Sequence, residues 1–391
     1  MKRWVGFAEH PGCGILESMN GLPKTSRAAV LVAPRQRVEI REIEIPPPEP
    51  GALVVRVEAA TVCGTDVHIW EGDLQPEWPV GMGHEMVGRI VALGDGVIRD
   101  ASDAPLAVGD RIVWAYPWCG KCYYCAIARQ PTLCPHARMN GWRSAEKYPF
   151  LCGGFADYCY VLPECRPVKV PDAVDSRVAS SATCALRTIV HGFERLEAFG
   201  GIGVQPSVVV LGAGPVGLYA LAMSIASGAA LTVNIGAPAR RIQLAREWGA
   251  SHTINIEEVR ESRDRAEMVK HWTAGRGADL VIDAAGPVGA FHDALSMVRR
   301  GGRILVIGQS TKNTVPFSPR RINKDMLEII GVVSAHVTHF YKALRFLDSQ
   351  GHRFRFEDML TNSYPLAQVT EALESMAALR EIKPVILPAL G

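Results

Sequence analysis

Thiol and imidazole side chains concentrate in two nearby segments of the first third of the chain. Residues 63–68 read Cys-Gly-Thr-Asp-Val-His, and residues 83–85 read Gly-His-Glu. Sulfur and nitrogen are ligands that Zn²⁺ favours, and a catalytic zinc needs three protein ligands and one open position. Cys63 and His84 are candidates for two of these ligands, and Cys184 is the candidate for the third. Each alone could be a buried structural residue, so the prediction depends on further motifs.

The most specific metal-binding pattern is a run of four cysteines. Its spacing is Cys-x-x-Cys-x-x-Cys-x8-Cys, and its members are Cys119, Cys122, Cys125 and Cys134. Four thiolates in one short segment can surround a tetrahedral Zn²⁺ ion, which leaves no position open for a substrate. A redox-active Cys-x-x-Cys pair is the alternative interpretation. We therefore predict a structural zinc site that stabilises a lobe and does no chemistry.

A glycine-rich turn lies in the second half of the chain. A β-branched run at 207–211 precedes the sequence Gly-Ala-Gly-Pro-Val-Gly at 212–217, and an apolar, helix-forming segment follows at 218–227. The pattern Gly-x-Gly-x-x-Gly between a strand and a helix is typical of dinucleotide-binding folds. The free N–H groups at the start of such a helix bind the pyrophosphate. The pattern thus predicts a bound dinucleotide.

The first half of the chain must form a β scaffold for the first cluster. Short apolar runs separated by Gly- and Pro-rich turns continue to about residue 180, with strand-like segments at 28–32, 52–60, 86–92 and 110–114. This pattern predicts a barrel-like or partly open β fold. A helical segment at 178–199 follows and carries Cys184.

The second half must form a nucleotide-binding scaffold. From the strand at 207–211 onward, strand-like and helix-like segments alternate to about residue 334. Such alternation predicts a parallel, doubly wound sheet. We predict that a long helix at 339–349 and a final strand at 384–387 then return to the first domain.

The composition excludes several classes of function. The chain has 391 residues, which favours two domains, and a net charge of +2, which gives no electrostatic footprint for nucleic acid or an anionic membrane. No apolar run reaches the length of a membrane span. Residues 1–26 are predicted to be an irregular extension without the apolar core of a secretory signal. Ten cysteines without such a signal favour metal binding in a reducing cytoplasm.

Together these motifs resemble those of the zinc-dependent medium-chain alcohol dehydrogenases. The resemblance covers residues 28–387, in the family's order, and includes Gly-Asp-Arg at 109–111 and Gly-Gly-Phe-Ala at 153–156. It implies an α/β and β fold, with a GroES-like, partly open β-barrel catalytic domain and a Rossmann cofactor domain with a doubly wound parallel sheet. The implied bounds are 1–184 with 335–391 for the catalytic zinc-binding domain and 185–334 for the dinucleotide-binding domain.

The resemblance also implies roles for the polar residues of the first motif. The three candidate ligands would bind a catalytic zinc that lowers the pKa of the alcohol hydroxyl group, and the four cysteines would bind a second zinc. Thr65 would accept the alcohol proton, and His68 would relay it to solvent. Asp66 would orient His84, and Glu85 would lie behind the metal. Simpler interpretations are that Thr65 caps a helix, that His68 is a surface histidine, and that Glu85 satisfies nearby backbone or pairs with a basic residue.

The cofactor is predicted to be NAD or NADP. The segment Asn-Ile-Gly-Ala at 234–237 has no acidic residue for the ribose 2′-hydroxyl group, which tilts the prediction toward NADP. An arginine after this strand also occurs in NAD-using relatives, where it stacks on adenine. The resemblance places Thr188 and Val216 against the nicotinamide and Lys383 near the pyrophosphate, although a surface lysine is an equal interpretation. The predicted cofactor-binding residues are Gly212, Gly214, Val216, Gly217, Gly236, Arg240, Arg241, Thr188 and Lys383.

The substrate is predicted to be a small-molecule alcohol or carbonyl compound, and a bulky or cyclic secondary alcohol fits better than ethanol. A long loop at 140–151 and several aromatic residues could wall a roomy apolar pocket. These aromatic residues are Trp70, Trp114, Trp118, Trp142 and Phe150.

Two alternative functions stay open. One is an NADPH-dependent ene or quinone reductase on the same scaffold, although such relatives generally lack the zinc ligands. The other is a zinc-bearing, non-catalytic binding protein. Relatives form dimers or tetramers, so the resemblance implies a homodimer or homotetramer.

Overall fold

The protein is described by a computed structural model for residues 22–308, 314 and 316–390. The predicted extension at 1–26 lies largely outside this range, and its last residues already belong to a strand that begins at Thr25. Within the same range, none of the helices combines the length and the apolar character that crossing a lipid bilayer requires.

The strands form three sheets. In chain order they are β1 (Thr25–Leu31), β2 (Glu39–Glu44), β3 (Leu53–Thr61), β4 (Val80–Gly81), β5 (Met86–Leu93), β6 (Arg111–Ala115), β7 (Tyr158–Val161), β8 (Arg166–Lys169), β9 (Ser207–Leu211), β10 (Leu231–Gly236), β11 (His252–Asn255), β12 (Ala278–Asp283), β13 (Val298–Val306), β14 (Glu328–Gly331), β15 (Leu360–Tyr364) and β16 (Lys383–Ile386).

The helices lie mostly in the second half of the chain. In chain order they are α1 (Gly64–Glu71), α2 (Ser176–Ser181), α3 (Arg187–Glu197), α4 (Pro215–Ala226), α5 (Ala239–Glu247), α6 (Ser262–Trp272), α7 (Val288–Met297), α8 (Arg320–Asp325), α9 (Val337–Phe354) and α10 (Val369–Ala377). A π-helical turn, Ala182–Leu186, joins α2 to α3.

Two sheets build the β part of the molecule. One has the strand order β2-β1-β4, and the larger one has the order β15-β16-β3-β5-β6-β8 with β7 also paired to β3. Most neighbours are antiparallel, which agrees with the short strands and tight turns of the sequence. The C-terminal strand β16 pairs with β3, so the end of the chain returns to this part as predicted. The fold is the predicted partly open β-barrel.

A six-stranded parallel sheet builds the other part, with the order β11-β10-β9-β12-β13-β14. Side chains of β9 alternate between two cores: Val208 and Val210 pack on one face of the sheet, and Val209 and Leu211 pack on the other. Burial on both faces is why this strand has an unbroken apolar sequence. The prediction of a doubly wound Rossmann sheet is confirmed.

The two parts share one core. Val113 and Val168 of the β part, Val208 of the parallel sheet and Leu344 of α9 belong to the same buried cluster. Because α9 packs in this shared core, it holds the two parts together at the point where the π-helical turn joins α2 to α3.

Candidate active site

Pairing between β3 and β5 brings the first two candidate ligands together. The strands are antiparallel, and the Thr61 N–H group donates to the Glu85 carbonyl over 2.9 Å. Cys63 lies just beyond the end of β3, and His84 lies just before the start of β5. One end of this strand pair therefore carries both side chains.

The local backbone fixes both residues. Cys63 is the N-cap of α1, and its N–H group donates to the Asp66 carboxylate over 2.8 Å. Gly83, which precedes His84, has a φ of 91°. A Cβ atom at Gly83 would also lie 2.7 Å from the Phe155 ring. Because a larger residue would be strained and would clash, glycine is required for this turn into His84.

A π-helical turn supplies the third candidate ligand. The turn Ala182–Leu186 contains Cys184, and such turns are frequent at functional sites. Ser180, in the last turn of α2, donates to the Glu85 carbonyl over 3.0 Å and lies 3.1 Å from the Thr61 hydroxyl group. These contacts fasten the helix that carries Cys184 to the end of the β3–β5 pair.

The assembled side chains fit a zinc ion. The Cys63 and Cys184 sulfurs are 4.0 Å apart, and one ligand atom each from Cys63, His84, Glu85 and Cys184 lies within 4.8 Å of the others. Two sulfurs on a tetrahedral zinc with Zn–S bonds of about 2.3 Å would be about 3.8 Å apart. A hydrogen bond from the Cys184 thiol holds the pKa of Cys63 well below its ordinary value. Zinc prefers the thiolate form that this contact favours.

Asp66 orients the imidazole, as the resemblance implied. Its buried carboxylate has Oδ1 3.0 Å from Nδ1 of His84. Since a carboxylate accepts hydrogen bonds, Nδ1 of His84 carries the proton and Nε2 keeps a lone pair for a metal. The other carboxylate oxygen accepts from the Cys63 N–H group. One side chain thus positions two of the candidate ligands.

Glu85 forms a buried ion pair with Lys383 behind this cluster. Oε2 of Glu85 is 2.5 Å from the Lys383 ammonium group and 2.5 Å from the Thr61 hydroxyl group. Lys383 is 1% exposed. Burial opposes its charge, but the Glu85 carboxylate and the nearby Cys63 sulfur together outweigh this effect and raise the pKa of Lys383 above its ordinary value. The predicted contact of Lys383 with the pyrophosphate is corrected here, because its ammonium group is enclosed and neutralised by Glu85.

The cluster of Cys63, His84 and Cys184, the candidate metal cluster, faces a cleft of about 430 Å³ between the two parts of the molecule. His68 makes a contact of 3.2 Å between its Nδ1 and Oδ2 of Asp73, and its side chain is 41% exposed. The Thr188 hydroxyl group donates to the Cys184 carbonyl over 2.7 Å. The site residues predicted from the sequence that line the cleft are Cys63, Thr65, His68, His84, Cys184, Thr188 and Val216.

Aromatic side chains form part of the cleft wall. Of the five aromatic residues proposed for this role, Trp114 and Trp142 line the cleft. Trp70 instead donates from its indole N–H group to the Gln36 carbonyl, and Trp118 packs on the ring of His336. Phe150 likewise does not line the cleft.

Sequence reasoning missed several residues of the cleft. Tyr116, Met139, Phe340 and Arg187 all line it. They come from four separate segments, and no motif connects them in the sequence. The buried position of Arg187 could have been suspected from its place three residues after Cys184, in a helical segment.

The glycine-rich turn joins β9 to α4, and Gly214 is the N-cap of that helix. A Cβ atom on Gly217 would lie 2.0 Å from the Gly212 carbonyl oxygen, so the turn closes only with glycine there. The Asn234 side chain donates to the same carbonyl over 3.0 Å and fixes the turn against β10. This geometry leaves the first N–H groups of α4 for an anion such as a pyrophosphate.

The two arginines after β10, which ends at Gly236, have different surroundings. Arg240 is exposed near the start of α5. Arg241 is buried and donates to the Glu381 carbonyl over 2.5 Å. Its Nη1 lies 3.8 Å from the position of a Cβ atom on Gly214. Arg240 therefore faces solvent at the edge of the predicted cofactor site, whereas the Arg241 side chain lies beside Gly214 of the glycine turn.

The four-cysteine lobe lies between β6 and β7. The Cys134 sulfur is 3.6 Å from that of Cys119 and 3.9 Å from that of Cys122, and one sulfur from each of the four cysteines lies within 4.8 Å of the others. A hydrogen bond from the Lys121 N–H group lowers the pKa of Cys119 to about 6. This arrangement fits a closed, four-thiolate zinc site.

Comparison with known protein families agrees with this geometry. Residues 49–172 match the family described as alcohol dehydrogenase GroES-like domain. Residues 215–349 match the family described as zinc-binding dehydrogenase. The first match covers the β3–β5 pair and the four-cysteine lobe, and the second covers most of the parallel sheet.

Individual relatives match over nearly the whole chain. A 5-exo-hydroxycamphor dehydrogenase from Pseudomonas putida is 33% identical over 369 residues, which is 92% of this chain and 98% of the relative. An alcohol dehydrogenase structure from Thermotoga maritima has a TM-score of 0.86 and 30% identity, and it covers 93% of this chain and 99% of its own. A zinc-binding dehydrogenase from Sinorhizobium meliloti bound to NADP has a TM-score of 0.79 and 25% identity, with 94% and 100% covered.

Fold, motif order and relatives lead to one classification. The relatives are dehydrogenases, which are oxidoreductases that act on CH–OH groups. The chain belongs to the zinc-dependent medium-chain alcohol dehydrogenase family.

Proposed function

We propose that this protein transfers hydride reversibly between NAD(P)⁺ and a bulky or cyclic secondary alcohol. One observation carries the proposal: the cluster of Cys63, His84 and Cys184 and the residues expected beside the nicotinamide, Thr188 and Val216, line the same cleft. Hydride transfer needs the reacting carbon and the nicotinamide to be held side by side, and such positioning supplies a large part of the rate.

Cys63, His84 and Cys184 would hold a zinc ion, which would supply Lewis-acid polarisation of the substrate oxygen, and a nicotinamide in the same cleft would supply the hydride chemistry. The closed four-cysteine lobe would hold the second of the two proposed zinc ions per chain. Of the carboxylates near the cluster, Asp66 is committed to His84 and Glu85 to Lys383.

The chain itself moves the proton. In the oxidation direction the alcohol hydroxyl proton passes to the Thr65 oxygen, whose own proton moves on to His68. His68 suits the outer position because its half-exposed side chain reaches both the cleft and solvent. In the reduction direction the proton returns by the same path.

The walls of the cleft support a bulky substrate. Trp114, Tyr116, Trp142 and Phe340 give it a broad aromatic surface, which stabilises a compact ring better than a two-carbon chain. The relative from Pseudomonas putida is named for 5-exo-hydroxycamphor, and a hydroxylated ring system fits such walls.

Three features support NADP as one of the cofactors used. No carboxylate ends β10, Arg240 is exposed beside that end, and the structure from Sinorhizobium meliloti contains NADP. A 2′-phosphate would meet a positive charge there and no repulsion.

The domain division and the assembly follow from the same family membership. We place the catalytic domain at 1–184 and 335–391 and the cofactor domain at 185–334, with the shared core around α9 between them. We also propose a homodimer or homotetramer, which light scattering of the purified protein would test.

A substrate screen tests the proposed function. Purified protein is incubated with primary, linear secondary and cyclic secondary alcohols and with NAD⁺ or NADP⁺, and the absorbance of the reduced nicotinamide is followed. We expect turnover of the cyclic alcohols and about two zinc ions per chain by elemental analysis. Turnover of activated C=C bonds in a zinc-free protein would instead indicate a reductase, and failure to use or bind either dinucleotide would indicate a binding protein.

A further inference from the structure

Arg187 places a buried positive charge in the wall of the cleft. It is the first residue of α3, is 6% exposed and lines the same cleft as the metal cluster. The proton relay and the metal cluster described above do not use this side chain. A charged group at such a position calls for a partner, because burial of a charge without one is strongly unfavourable.

The partners of Arg187 within the chain are all neutral. Its Nε donates to the Thr183 carbonyl. Its Nη1 lies 3.2 Å from the Ser334 hydroxyl oxygen and 3.5 Å from the Ala335 carbonyl oxygen. Among residues 22–308, 314 and 316–390, no carboxylate lies within ion-pair distance of this guanidinium group, and Nη2 has no hydrogen-bond acceptor.

Aromatic rings complete the surroundings of this guanidinium group. Its central carbon lies 4.9 Å from the centroid of the Phe340 ring and 5.9 Å from that of Tyr116. Such contacts offset part of the desolvation of a cation, but they provide no acceptor in the plane of the guanidinium group. Both rings also line the cleft, so the cation sits inside the aromatic wall proposed to hold the substrate ring.

The carboxylates closest to the metal cluster are not available to Arg187. Asp66 is bonded to His84 and Cys63, and Glu85 is paired with Lys383. The cleft thus combines an apolar surface with the fixed, charged donor Nη2 of Arg187, which has no acceptor among the described residues. The indole N–H group of Trp114, also in the lining, is a neutral donor that likewise has no partner there. This combination selects ligands that are mostly apolar and carry an acceptor placed for the charged donor.

We propose that Arg187 is a specificity-determining residue that donates a hydrogen bond to a second oxygen of the substrate. The substrate class is then a cyclic secondary alcohol that carries a ketone or carboxylate oxygen away from the reacting hydroxyl group. This inference rests on the proposed function, since it needs the cleft to bind an alcohol. A site built to bond such an oxygen discriminates strongly against analogues that lack it.

Three substrates with one ring test the wild-type protein. They are cyclohexanol, 4-hydroxycyclohexanone and 4-hydroxycyclohexanecarboxylate, each assayed with NAD⁺ and with NADP⁺. We expect kcat/KM for the ketone or for the carboxylate to exceed that for cyclohexanol by about 10- to 100-fold, the range for a hydrogen bond to a charged group. The compound with the larger gain identifies whether the acceptor is neutral or anionic.

Variants connect this preference to the side chain. In Arg187→Met the ratio of kcat/KM between the favoured compound and cyclohexanol should fall by about 10- to 100-fold, and Arg187→Lys should restore part of it. Arg345→Met is the matched control, because Arg345 lies on α9 in an exposed pair with Asp348, and it should leave the ratio unchanged.

Two outcomes would overturn the assignment of Arg187. One is equal kcat/KM for all three compounds in the wild-type protein, which needs no variant to fold. The other is an Arg187→Met protein that loses activity on all three equally or changes only the KM of the cofactor, as expected for a structural or nicotinamide-binding role. Absence of turnover with every alcohol and both cofactors would overturn the proposed function together with the assignment. This result differs from the other two, in which the wild-type protein still turns over substrate.

Discussion

The two cysteine clusters of this protein both offer thiolates to a metal ion, but they are assembled in opposite ways. The proposed ligands Cys63, His84 and Cys184 come from distant segments and meet only when β3, β5 and the π-helical turn pack together. The proposed lobe ligands, from Cys119 to Cys134, come from one short loop. The first cluster depends on the whole fold and faces a cleft, whereas the second depends on local sequence and is closed. A site with an open position needs a scaffold to hold that position open.

The largest expected effect is loss of the imidazole from the first cluster. In His84→Ala we expect kcat to fall by at least about 10³-fold, because metal polarisation contributes several kcal/mol to such reactions. Cofactor binding, measured by fluorescence titration, should stay near that of the wild-type protein. Wild-type kcat in this variant would show that the first cluster does not act in catalysis.

The buried ion pair behind the first cluster should have the next largest effect. Lys383→Met leaves the Glu85 carboxylate without its cation, and we expect a loss of about 3–5 kcal/mol in the free energy of unfolding. Differential scanning calorimetry should show a corresponding decrease in Tm.

A double variant separates the charge from the packing of this pair. Adding Glu85→Gln to Lys383→Met should recover much of the lost stability, because no isolated charge then stays buried. Equal Tm values for the single and the double variant would contradict the ion-pair explanation.

A substitution in the four-cysteine lobe should lower the stability of the protein rather than its activity. Cys122→Ser removes one of four thiolates, and we expect one zinc fewer per chain and a Tm lower by about 5 °C, because metal binding at a closed site contributes folding free energy. Since the lobe ligands are local, kcat of the folded protein below this Tm should stay within about threefold of wild type. A selective loss of the zinc bound by Cys63 would contradict the separation of the two clusters.

The smallest of these effects should come from the orienting carboxylate. Asp66→Asn keeps the shape of the side chain but weakens its hold on His84, and we expect a loss of about 10- to 100-fold in kcat or in zinc affinity. No equivalent carboxylate is described beside the lobe cysteines, so this variant should leave the lobe zinc content unchanged. Zinc analysis and steady-state kinetics on one preparation measure both quantities.

Much of the fold and site could be predicted because the informative residues lie in short, regular patterns. The run of β-branched residues before Gly212 indicates a strand that is buried on both faces. The spacing of the four lobe cysteines indicates a metal site without any knowledge of the tertiary structure. Helix α6, which buries few side chains, was not anticipated because its sequence has no strong apolar stripe.

The errors have a common physical origin in long-range pairing. Lys383 was expected at the pyrophosphate, but β16 pairs with β3 and carries that lysine to Glu85. The cleft residues Tyr116, Arg187 and Phe340 were missed for the same reason, since they meet only after β6, α3 and α9 pack together. Local sequence patterns do not reveal which distant segments will pack together.

The helical segment between Ser176 and Glu197 contains a π-helical turn, and this turn determines the direction in which the side chains after it point. A π-helical turn accommodates one residue more than an α-helical turn, and one residue corresponds to about 100° of rotation in an α-helix. If the segment were wound evenly, the residues after Leu186 would point about a quarter-turn away from their present direction. Cys184 would then still face the ends of β3 and β5, but Arg187 and Thr188 would point away from the cleft. The single π-helical turn therefore allows one helical segment to direct both a candidate metal ligand and the residues of the cleft wall toward the same side.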